Sequence, residues 1–460
     1  MSVADHRRLV DPRLGLIRRI VDFEMPDRLP RGLITRGADV ANSVDPSVWN
    51  ADRAAIGANF DDPARAEQAA IGEAVERYCG NRVPSGLRRA AYDDLVRAGA
   101  SAIDPTTLVL YSDRQYDAAG FPFVRFTRDL QVAWTAGDDL FTGDPCWAPA
   151  SLVYCNYHWG ERAEREPLTN GLIYAGIAAG PTREFAEASA LEELIERDAT
   201  EIWWHSGAPA RGLDVSGERR IVEALTTAAD DPRIRYHFFE IPTGFDVHVI
   251  GCLLDDEELS IVGAGFACRP DPVEAALKAL SEAIGTWFYS TGILDPEGSI
   301  WQAVAAGGLD PRAYKPWRED RRYLDDFSPD FRDVIDLGAQ MQFYLDPRAR
   351  VHVTRMTDPE IVIPIGELRA VDVGGDERSH LLNQLARRGF GACSIDVTTS
   401  DVRRAGLHAV RVVAPGLYTN APAATPYLGG DRLYAEPVEH GWMTGPLTED
   451  DLVLAPIPHV

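Results

Sequence analysis

The sequence predicts an α+β fold, and three observations carry that expectation. Helix-period segments stand at residues 63–79, 182–204 and 272–289. Strand signals at 236–241, 247–254 and 259–267 follow one another with no helix between them. Strands and helices therefore do not strictly alternate, as a doubly wound parallel sheet would require.

The elements read in order as follows. Residues 1–50 are rich in Arg and Asp, and Pro12, Pro26, Pro30 and Pro46 break long elements there. The start lacks the apolar core of a signal peptide. A short strand is expected near 16–21, so residues 1–60 read as an N-terminal arm with a first strand, and 61–460 as the main domain. After the helix at 63–79, strands are read at 108–111 and 152–157. The helix at 182–204 is the longest candidate. The strands at 236–267 are joined by turn-like Pro242-Thr-Gly244 and Asp255-Asp-Glu-Glu258. Residues 293–335 are irregular. A helix at 376–388 and strands at 392–397 and 409–413 follow, and from Pro415 the chain is rich in Pro and Gly.

Composition narrows the function. Of 460 residues, 46 are Lys or Arg and 71 Asp or Glu, a formal charge of −25. A nucleic-acid binder normally needs a basic patch, so this balance argues against one, and against anionic membrane surfaces. No apolar run approaches about 18 residues, so no spanning helix is expected. The six cysteines (79, 146, 155, 252, 268, 393) are scattered without a Cys-x-x-Cys, which reads as isolated buried thiols in a reducing, cytoplasmic setting.

One short pattern recurs. Residues 70–77 read Ala-Ile-Gly-Glu-Ala-Val-Glu-Arg and residues 190–197 read Ala-Leu-Glu-Glu-Leu-Ile-Glu-Arg. Each places carboxylates at i and i+3, Glu73/Glu76 and Glu193/Glu196, beside Arg77 or Arg197. On a helix this puts both on one face, with Cβ atoms about 5–6 Å apart. An echo at 279–284 carries Glu282, four residues after Lys278. Hard carboxylates suit Mg²⁺, which is usually bound with substrate phosphates, and the cations suit phosphate oxygens. Before the second copy, Thr169-Asn-Gly leads through Gly176 to Gly180-Pro-Thr182. The glycines allow close backbone approach, Pro181 suits a first helical turn, and the helix N-terminus offers free N–H groups to phosphate. By spacing alone, the same pattern also describes a solvated helix face with surface ion pairs. There is no P-loop, no Gly-x-Gly-x-x-Gly opening a helix, no His-Glu-x-x-His and no Gly-x-Ser-x-Gly. The ten histidines are dispersed, and His158 reads as structural.

Together these stretches resemble the YcaO family. The likeness rests on Asn170-Gly171 and its following glycines, on Glu193-Leu-Ile-Glu-Arg-Asp198 and on Gly72-Glu-Ala-Val-Glu-Arg-Tyr78. It continues in Ala275 to Glu282, Ile395-Asp-Val-Thr398, Val413-Ala-Pro-Gly-Leu417 and Leu428-Gly-Gly-Asp-Arg432. The order and spacing fit from about residue 10 to the C-terminus. The resemblance implies mixed and antiparallel sheets with helices carrying an ATP site, and a catalytic domain over 61–460 with a Pro-containing tail. It implies an ATP-dependent peptide cyclodehydratase: ATP phosphorylates a backbone amide oxygen, a Cys, Ser or Thr side chain attacks, and a thiazoline or oxazoline forms. By the same analogy Glu73, Glu76, Glu193, Glu196 and Glu282 hold Mg²⁺. Arg77, Asn170, Gly180, Arg197, Lys278 and Glu282 meet the nucleotide, and Glu193, Glu196, Arg197 and Pro458 serve catalysis.

Three positions depart from the family pattern. Ala69 stands where Ser is frequent, Lys278 stands where Arg is frequent, and the Pro-x-Pro-x-Pro tail is shortened to Ala455-Pro-Ile-Pro-His-Val460. Lys keeps the charge of Arg but loses its bidentate fork. The implied partners are a precursor peptide and a separate E1-like or ThiF-like protein that captures its leader. The resemblance leaves room for a flavin-dependent azoline dehydrogenase and a homodimer. External sulfide or a backbone amine as nucleophile would give a thioamide or amidine instead. A non-catalytic peptide-binding scaffold is the reading from another class.

Overall fold

A computed structural model of the chain describes residues 6–41, 53–226 and 231–460. Pro46 and the first five residues of the expected arm lie outside the described residues. The N-terminal region holds three strands where one is expected: β1 (Ile17–Phe23), β2 (Leu33–Val40) and β3 (Ala54–Phe60). They form an antiparallel sheet in the order β1-β2-β3. Helix α1 (Pro63–Gly80) follows, with Asp62 accepting from the N–H groups of Ala64 and Arg65 at its start. It sits so close to β3 that a Cβ on Gly57 would lie 2.1 Å from the Ala70 nitrogen, and only Gly fits there.

Next come β4 (Arg88–Ala90), β5 (Val132–Asp139), β6 (Pro145–Pro149) and β7 (Ile177–Gly180). Helix α2 (Arg183–Ser206) is capped by the Thr182 hydroxyl and ended by left-handed Gly207. Strands β8 (Arg211–Asp214), β9 (Ile234–Ile241), β10 (His248–Asp256) and β11 (Ile261–Arg269) lead into α3 (Pro272–Leu294), capped by Asp271. Then follow α4 (Leu337–Tyr344), β12 (Ile361–Pro364), α5 (Glu377–Arg387), β13 (Cys393–Asp396), β14 (His408–Val413) and α6 (Arg432–Glu439). One sheet runs β11-β10-β9-β8-β12; another runs β4-β5-β13-β14-β7, with β6 paired to β5. Among the described residues, the pairings between strands are antiparallel except β8 with β12. The fold is thus α+β with mixed and antiparallel sheets.

Helix α2 runs through the interior, and its apolar side joins α3 and the five-stranded sheet in the largest core cluster. A helix this deeply placed is normally apolar all round. This one instead buries Glu187, Glu192, Glu196, Asp198 and Glu201. Four face an arginine, Arg378 for Glu187 (2.6 Å), Arg269 for Glu192 (2.8 Å), Arg197 for Glu196 (3.1 Å) and Arg432 for Asp198 (2.6 Å), and Glu201 faces the His205 ring (3.3 Å). Burial without such partners would cost far more than the packing returns.

The C-terminal segment threads into the same interior. The Ala455 carbonyl accepts from Trp204 Nε1 (2.8 Å), Pro456 from the Tyr344 hydroxyl (2.5 Å), Pro458 from Ala264 N–H (2.7 Å) and His459 from Gln340 Nε2 (3.1 Å). Alternating Pro removes N–H donors that this buried strand-like segment would otherwise have to satisfy.

Two expected strands are absent. Residues 108–111 form a loop whose apolar character serves an aromatic cluster: Tyr111 stacks on Phe123 at 4.5 Å and meets Tyr427 at 5.1 Å. Residues 152–157 begin in a helical turn (Ala150–Val153) and continue in turns, with 152–157 buried on all sides rather than on one pleated face. Pro181 precedes the N-cap instead of sitting in the first turn of α2. All six cysteines are buried and none is in a disulfide. Among the described residues, no helix is long and apolar enough to cross a membrane.

The Asp198 carboxylate also accepts from Tyr418 N–H (2.8 Å) and takes both Arg432 terminal nitrogens (2.7 and 2.6 Å). Asp198→Ala leaves Arg432 with Glu436 (2.7 Å) as its remaining carboxylate and strips the buried Tyr418 N–H of its acceptor, so a loss of about 1–3 kcal/mol is expected in denaturant unfolding. A loss within about 0.5 kcal/mol, as for an ordinary surface site, would contradict this.

Candidate active site

The three acidic helices converge. Five carboxylates form a chain in space, because Glu76 acts electrostatically on Glu73 and Glu193, and Glu196 on Glu193 and Glu282. They are held in two ways. Three pair with cations on their own helix: Glu73 with Arg77 (3.2 Å), Glu196 with Arg197 (3.1 Å) and Glu282 with Lys278 (2.7 Å). Backbone N–H groups aim the others, since Glu76 accepts from Ala179 of β7 (2.8 Å) and Glu193 from Gly176 (2.9 Å). Glu73 adds the Ile56 N–H of edge strand β3 (2.9 Å). The N-terminal sheet, the six-stranded sheet and the loop before β7 therefore each hold one carboxylate.

Gly176 is the one residue there with left-handed backbone, φ 86°. A Cβ at this position would lie 2.6 Å from the Val412 carbonyl oxygen, so a side chain is excluded both by conformation and by space. This turn is what directs the Gly176 N–H at Glu193.

The solvated-face reading does not describe these helices. Glu196 is 6% exposed, and the Arg77 and Arg197 side chains are mostly buried. Arg77 also lies over the Tyr174 ring, 4.5 Å from its centroid. Lys278 is half-exposed and lines a cavity of about 400 Å³ together with Phe60, Arg65, Arg220, Arg269 and Ser281. Lys278 thus stands between that cavity and Glu282.

Burial, then Glu73 and Glu193, push the Glu76 carboxyl up to about 8 against the pull of the Ala179 N–H. Burial also pushes Glu196 up to about 8; Arg197 opposes this, while Glu282 and Glu193 add to it. Two carboxylates about 5.5 Å apart at an effective dielectric of about 20 repel by about 3 kcal/mol, or about two pKa units. One neighbour alone does not account for such rises, so desolvation carries much of them. Glu282 goes the other way: burial would raise it, but Lys278 and His459 hold it well below the usual carboxylate range.

These residues fit a divalent cation with phosphate. Glu196 Oε1 and Glu282 Oε2 are buried and make no well-aligned hydrogen bond, with Arg197 Nη1 at 3.1 Å from the first and His459 Nε2 at 3.7 Å from the second, which leaves lone pairs for an added ion. All donors are hard oxygens. Among the described residues, no three His, Cys, Asp or Glu side chains lie close enough to hold an ion alone. That suits Mg²⁺, which keeps waters and takes phosphate oxygens into its shell.

Other expected residues lie elsewhere. Asn170 is fully buried; its amide donates to the Ser151 and Gly171 carbonyls (3.1 and 2.8 Å) and its oxygen accepts from Thr169 (2.9 Å). It braces the loop. Gly180 ends β7 beneath the Phe185 ring, 2.3 Å from where a Cβ would stand, and serves packing. The α2 N-terminus is ten residues before Glu193, about 15 Å along the axis, and Thr182 already takes the Phe185 N–H. The helix N-terminus and the carboxylates are therefore separate places on α2, about three turns apart. Pro458 contributes its carbonyl to Ala264 N–H and lies just before His459.

His459 is the site residue that the motif reading misses. Its ring lies 3.4 Å from Arg197 Nη1 and 3.7 Å from Glu282 Oε2, with an edge on Phe266. Burial and Arg197 lower its pKa, opposed by Glu282. Its position inside the Pro-x-Pro tail was the only signal. The backbone donors of Ile56, Gly176 and Ala179 leave no signal in residue identity.

A family model described as YcaO cyclodehydratase, ATP- and Mg²⁺-binding, matches residues 60–418. A Rhizobium leguminosarum bv. trifolii protein named "Uncharacterized protein in tfuA 3'region" is 27% identical over 239 residues, 49% of this chain and 53% of that protein. The chain thus spans about half the length of this relative. A solved structure titled "Heterocyclase in complex with substrate and Cofactor" superposes with TM-score 0.68 at 22% identity, covering 99% of this chain and 56% of the other. A YcaO structure from Methanopyrus kandleri, bound with AMPPCP and Mg²⁺, gives TM-score 0.58 at 19% identity over 90% of this chain and 88% of that one. At these identities the structural likeness is one of fold.

A raised carboxyl pKa weakens the folded state as pH climbs. A group with a folded pKa near 8 and a reference value of 4.5 binds more protons folded than unfolded between those limits. Without divalent cation, Glu196→Gln should therefore raise the melting temperature relative to wild type at pH 8 and by much less at pH 5. An equal shift at both pH values, in EDTA, would show that Glu196 is not held protonated by its surroundings.

Proposed function

This chain belongs to the YcaO family, and on that premise we propose that it is an ATP-dependent peptide cyclodehydratase. Its substrate is a ribosomally made precursor peptide, and it closes Cys, Ser or Thr side chains onto the preceding backbone amide as thiazolines or oxazolines. ATP and Mg²⁺ are the cofactors of the family. The observation that carries the reading is the chain of five carboxylates on three helices, each carboxylate paired to a cation or aimed by a backbone N–H.

In this reading Glu73, Glu76, Glu193, Glu196 and Glu282 hold Mg²⁺, and Arg77, Arg197 and Lys278 neutralise phosphate oxygens. The cavity beside Lys278, about 400 Å³, falls within the usual ligand-pocket range of about 300–1,000 Å³ and takes the nucleoside. ATP supplies the phosphoryl group that makes the amide oxygen a leaving group, because an unmodified amide oxygen leaves poorly. The protein's part is positioning and fixed charge. Glu76 and Glu196 shed their protons as a cation loads, which ties loading to pH. Pro458 and the buried tail hold His459 against Arg197 and Glu282, and so wall one side of the site. A separate E1-like or ThiF-like protein delivers the leader peptide.

The test is reconstitution with the precursor peptide and its partner protein, read by mass spectrometry. Each ring closed should lower the peptide mass by one water and consume one ATP. A gain matching sulfur for oxygen would assign a thioamide instead, and loss of water without ring fragments an amidine. Calorimetry that finds no Mg²⁺-dependent ATP binding, with or without peptide and partner, would overturn the enzyme reading in favour of a scaffold. Glu193→Gln should lower turnover at least about 100-fold while the protein stays folded, as for loss of a fixed electrostatic group. Wild-type turnover in that variant would remove the carboxylate from the mechanism.

A further inference from the structure

Strand β14 carries a charge where an apolar residue belongs. His408-Ala-Val-Arg-Val-Val413 is otherwise a central-strand sequence, and Arg411 is 1% exposed. A guanidinium has five N–H donors, and here every one has a partner. Nε donates to the Val153 carbonyl (3.2 Å), and Nη1 to those of Tyr174 (2.9 Å) and Ala175 (2.5 Å). Nη2 donates to the Ile173 carbonyl (2.9 Å) and the Cys155 Sγ (3.6 Å). None of these partners is a carboxylate. That sets Arg411 apart from Glu187, Glu192, Glu196 and Asp198 of α2, each of which is matched by an arginine.

The bonds converge on one stretch of backbone. Three consecutive carbonyls, 173 to 175, point at the guanidinium. The next residue is Gly176, whose N–H donates to Glu193 and whose carbonyl accepts from Val412 N–H (2.7 Å). Within the clamped stretch, Tyr174 presents its ring to Arg77, the cation paired to Glu73. One loop therefore connects both acidic helices, and Arg411 with its neighbour Val412 holds it. The charge contributes too. Glu193 and Arg77 are among the groups that act on Arg411, the first favouring its charge and the second opposing it, against burial as the largest cause.

We propose that Arg411 is a positioning residue for the metal site: it locks residues 173–176 so that Gly176 aims Glu193 and Tyr174 braces Arg77. This sets the distance between the α1 and α2 carboxylates. The inference rests on the Mg²⁺–nucleotide reading above. A carbonyl-clamping guanidinium has a specific consequence. Lys supplies the charge but at most three donors from a single nitrogen, so it does not gather carbonyls 173 to 175 and 153 in one plane. Loosening should then affect metal loading and leave the nucleoside cavity, which Arg411 does not line, unaffected.

The test compares Arg411→Lys with wild type by calorimetry, titrating ATP once with Mg²⁺ and once in EDTA. Arg411→Lys should weaken Mg²⁺-dependent ATP binding about tenfold or more and leave the metal-free affinity within about twofold. Equal weakening in both titrations would assign Arg411 a general structural role and overturn the proposal, as would an unchanged Mg²⁺ titration in a folded variant. If Arg411→Lys does not fold, Cys155→Ala removes one acceptor from the clamp with a small loss of volume. It should weaken the Mg²⁺-dependent titration alone, by about threefold, and an unchanged titration would equally count against the clamp. Wild-type protein that shows no Mg²⁺-dependent binding would instead sink the functional reading itself, so the two failures are distinguishable.

Discussion

The structure is governed by the need to bring five carboxylates together inside a protein without five free cations to match them. Coulomb repulsion and desolvation both oppose this, each by several kcal/mol per group. Three carboxylates are offset by a cation on the same helix. Glu76 and Glu193 are held by backbone N–H groups, from Ala179 and Gly176, with Arg77 and Arg197 acting on them from further off. The remaining imbalance shows in Glu76 and Glu196, whose carboxyls stay protonated up to about 8. An added cation would relieve this excess of negative charge, and the buried oxygens of Glu196 and Glu282 that make no well-aligned hydrogen bond are where it is concentrated.

Much of the remaining architecture supports that arrangement. Helix α2 is held by ion pairs from four of its buried acids to Arg378, Arg269, Arg197 and Arg432, on several sides of the helix. The sheets on either side supply the amide donors, so their role in the site comes through main chain. The C-terminal segment closes the far side, anchored by four buried carbonyl acceptors, and delivers His459 to Arg197 and Glu282. Arg411 performs the corresponding task for the loop before β7.

The sequence showed the helices well because their signals are local. Asp62-Pro63, Thr182 and Asp271-Pro272 are capping residues, and the Glu-x-x-Glu spacing follows from 3.6 residues per turn. It did not show that Glu196 is buried, since a solvated face has the same spacing. The short strands β4, β7, β8 and β12, of three or four residues, carry too little periodicity to read. Conversely, 108–111 and 152–157 look like strands because they are apolar, but their burial comes from irregular packing. The amide donors at the site were invisible for a different reason: any residue has an N–H. Only Gly176, required by its left-handed backbone, left a trace. Arg411 did leave a signal, a lone charge in an apolar strand, whose meaning depended on carbonyls more than 230 positions away in sequence.

The central claim is that the carboxylates of α1, α2 and α3 form one cation site that a triphosphate completes. Crystals grown with Mn²⁺ and a non-hydrolysable ATP analogue test this most directly, because manganese scatters anomalously and marks its own position. The account predicts anomalous peaks against Glu73, Glu76, Glu193, Glu196 and Glu282, with the phosphates reaching Lys278. Manganese bound away from these residues, or nucleotide seated with no metal between it and the three helices, would contradict it.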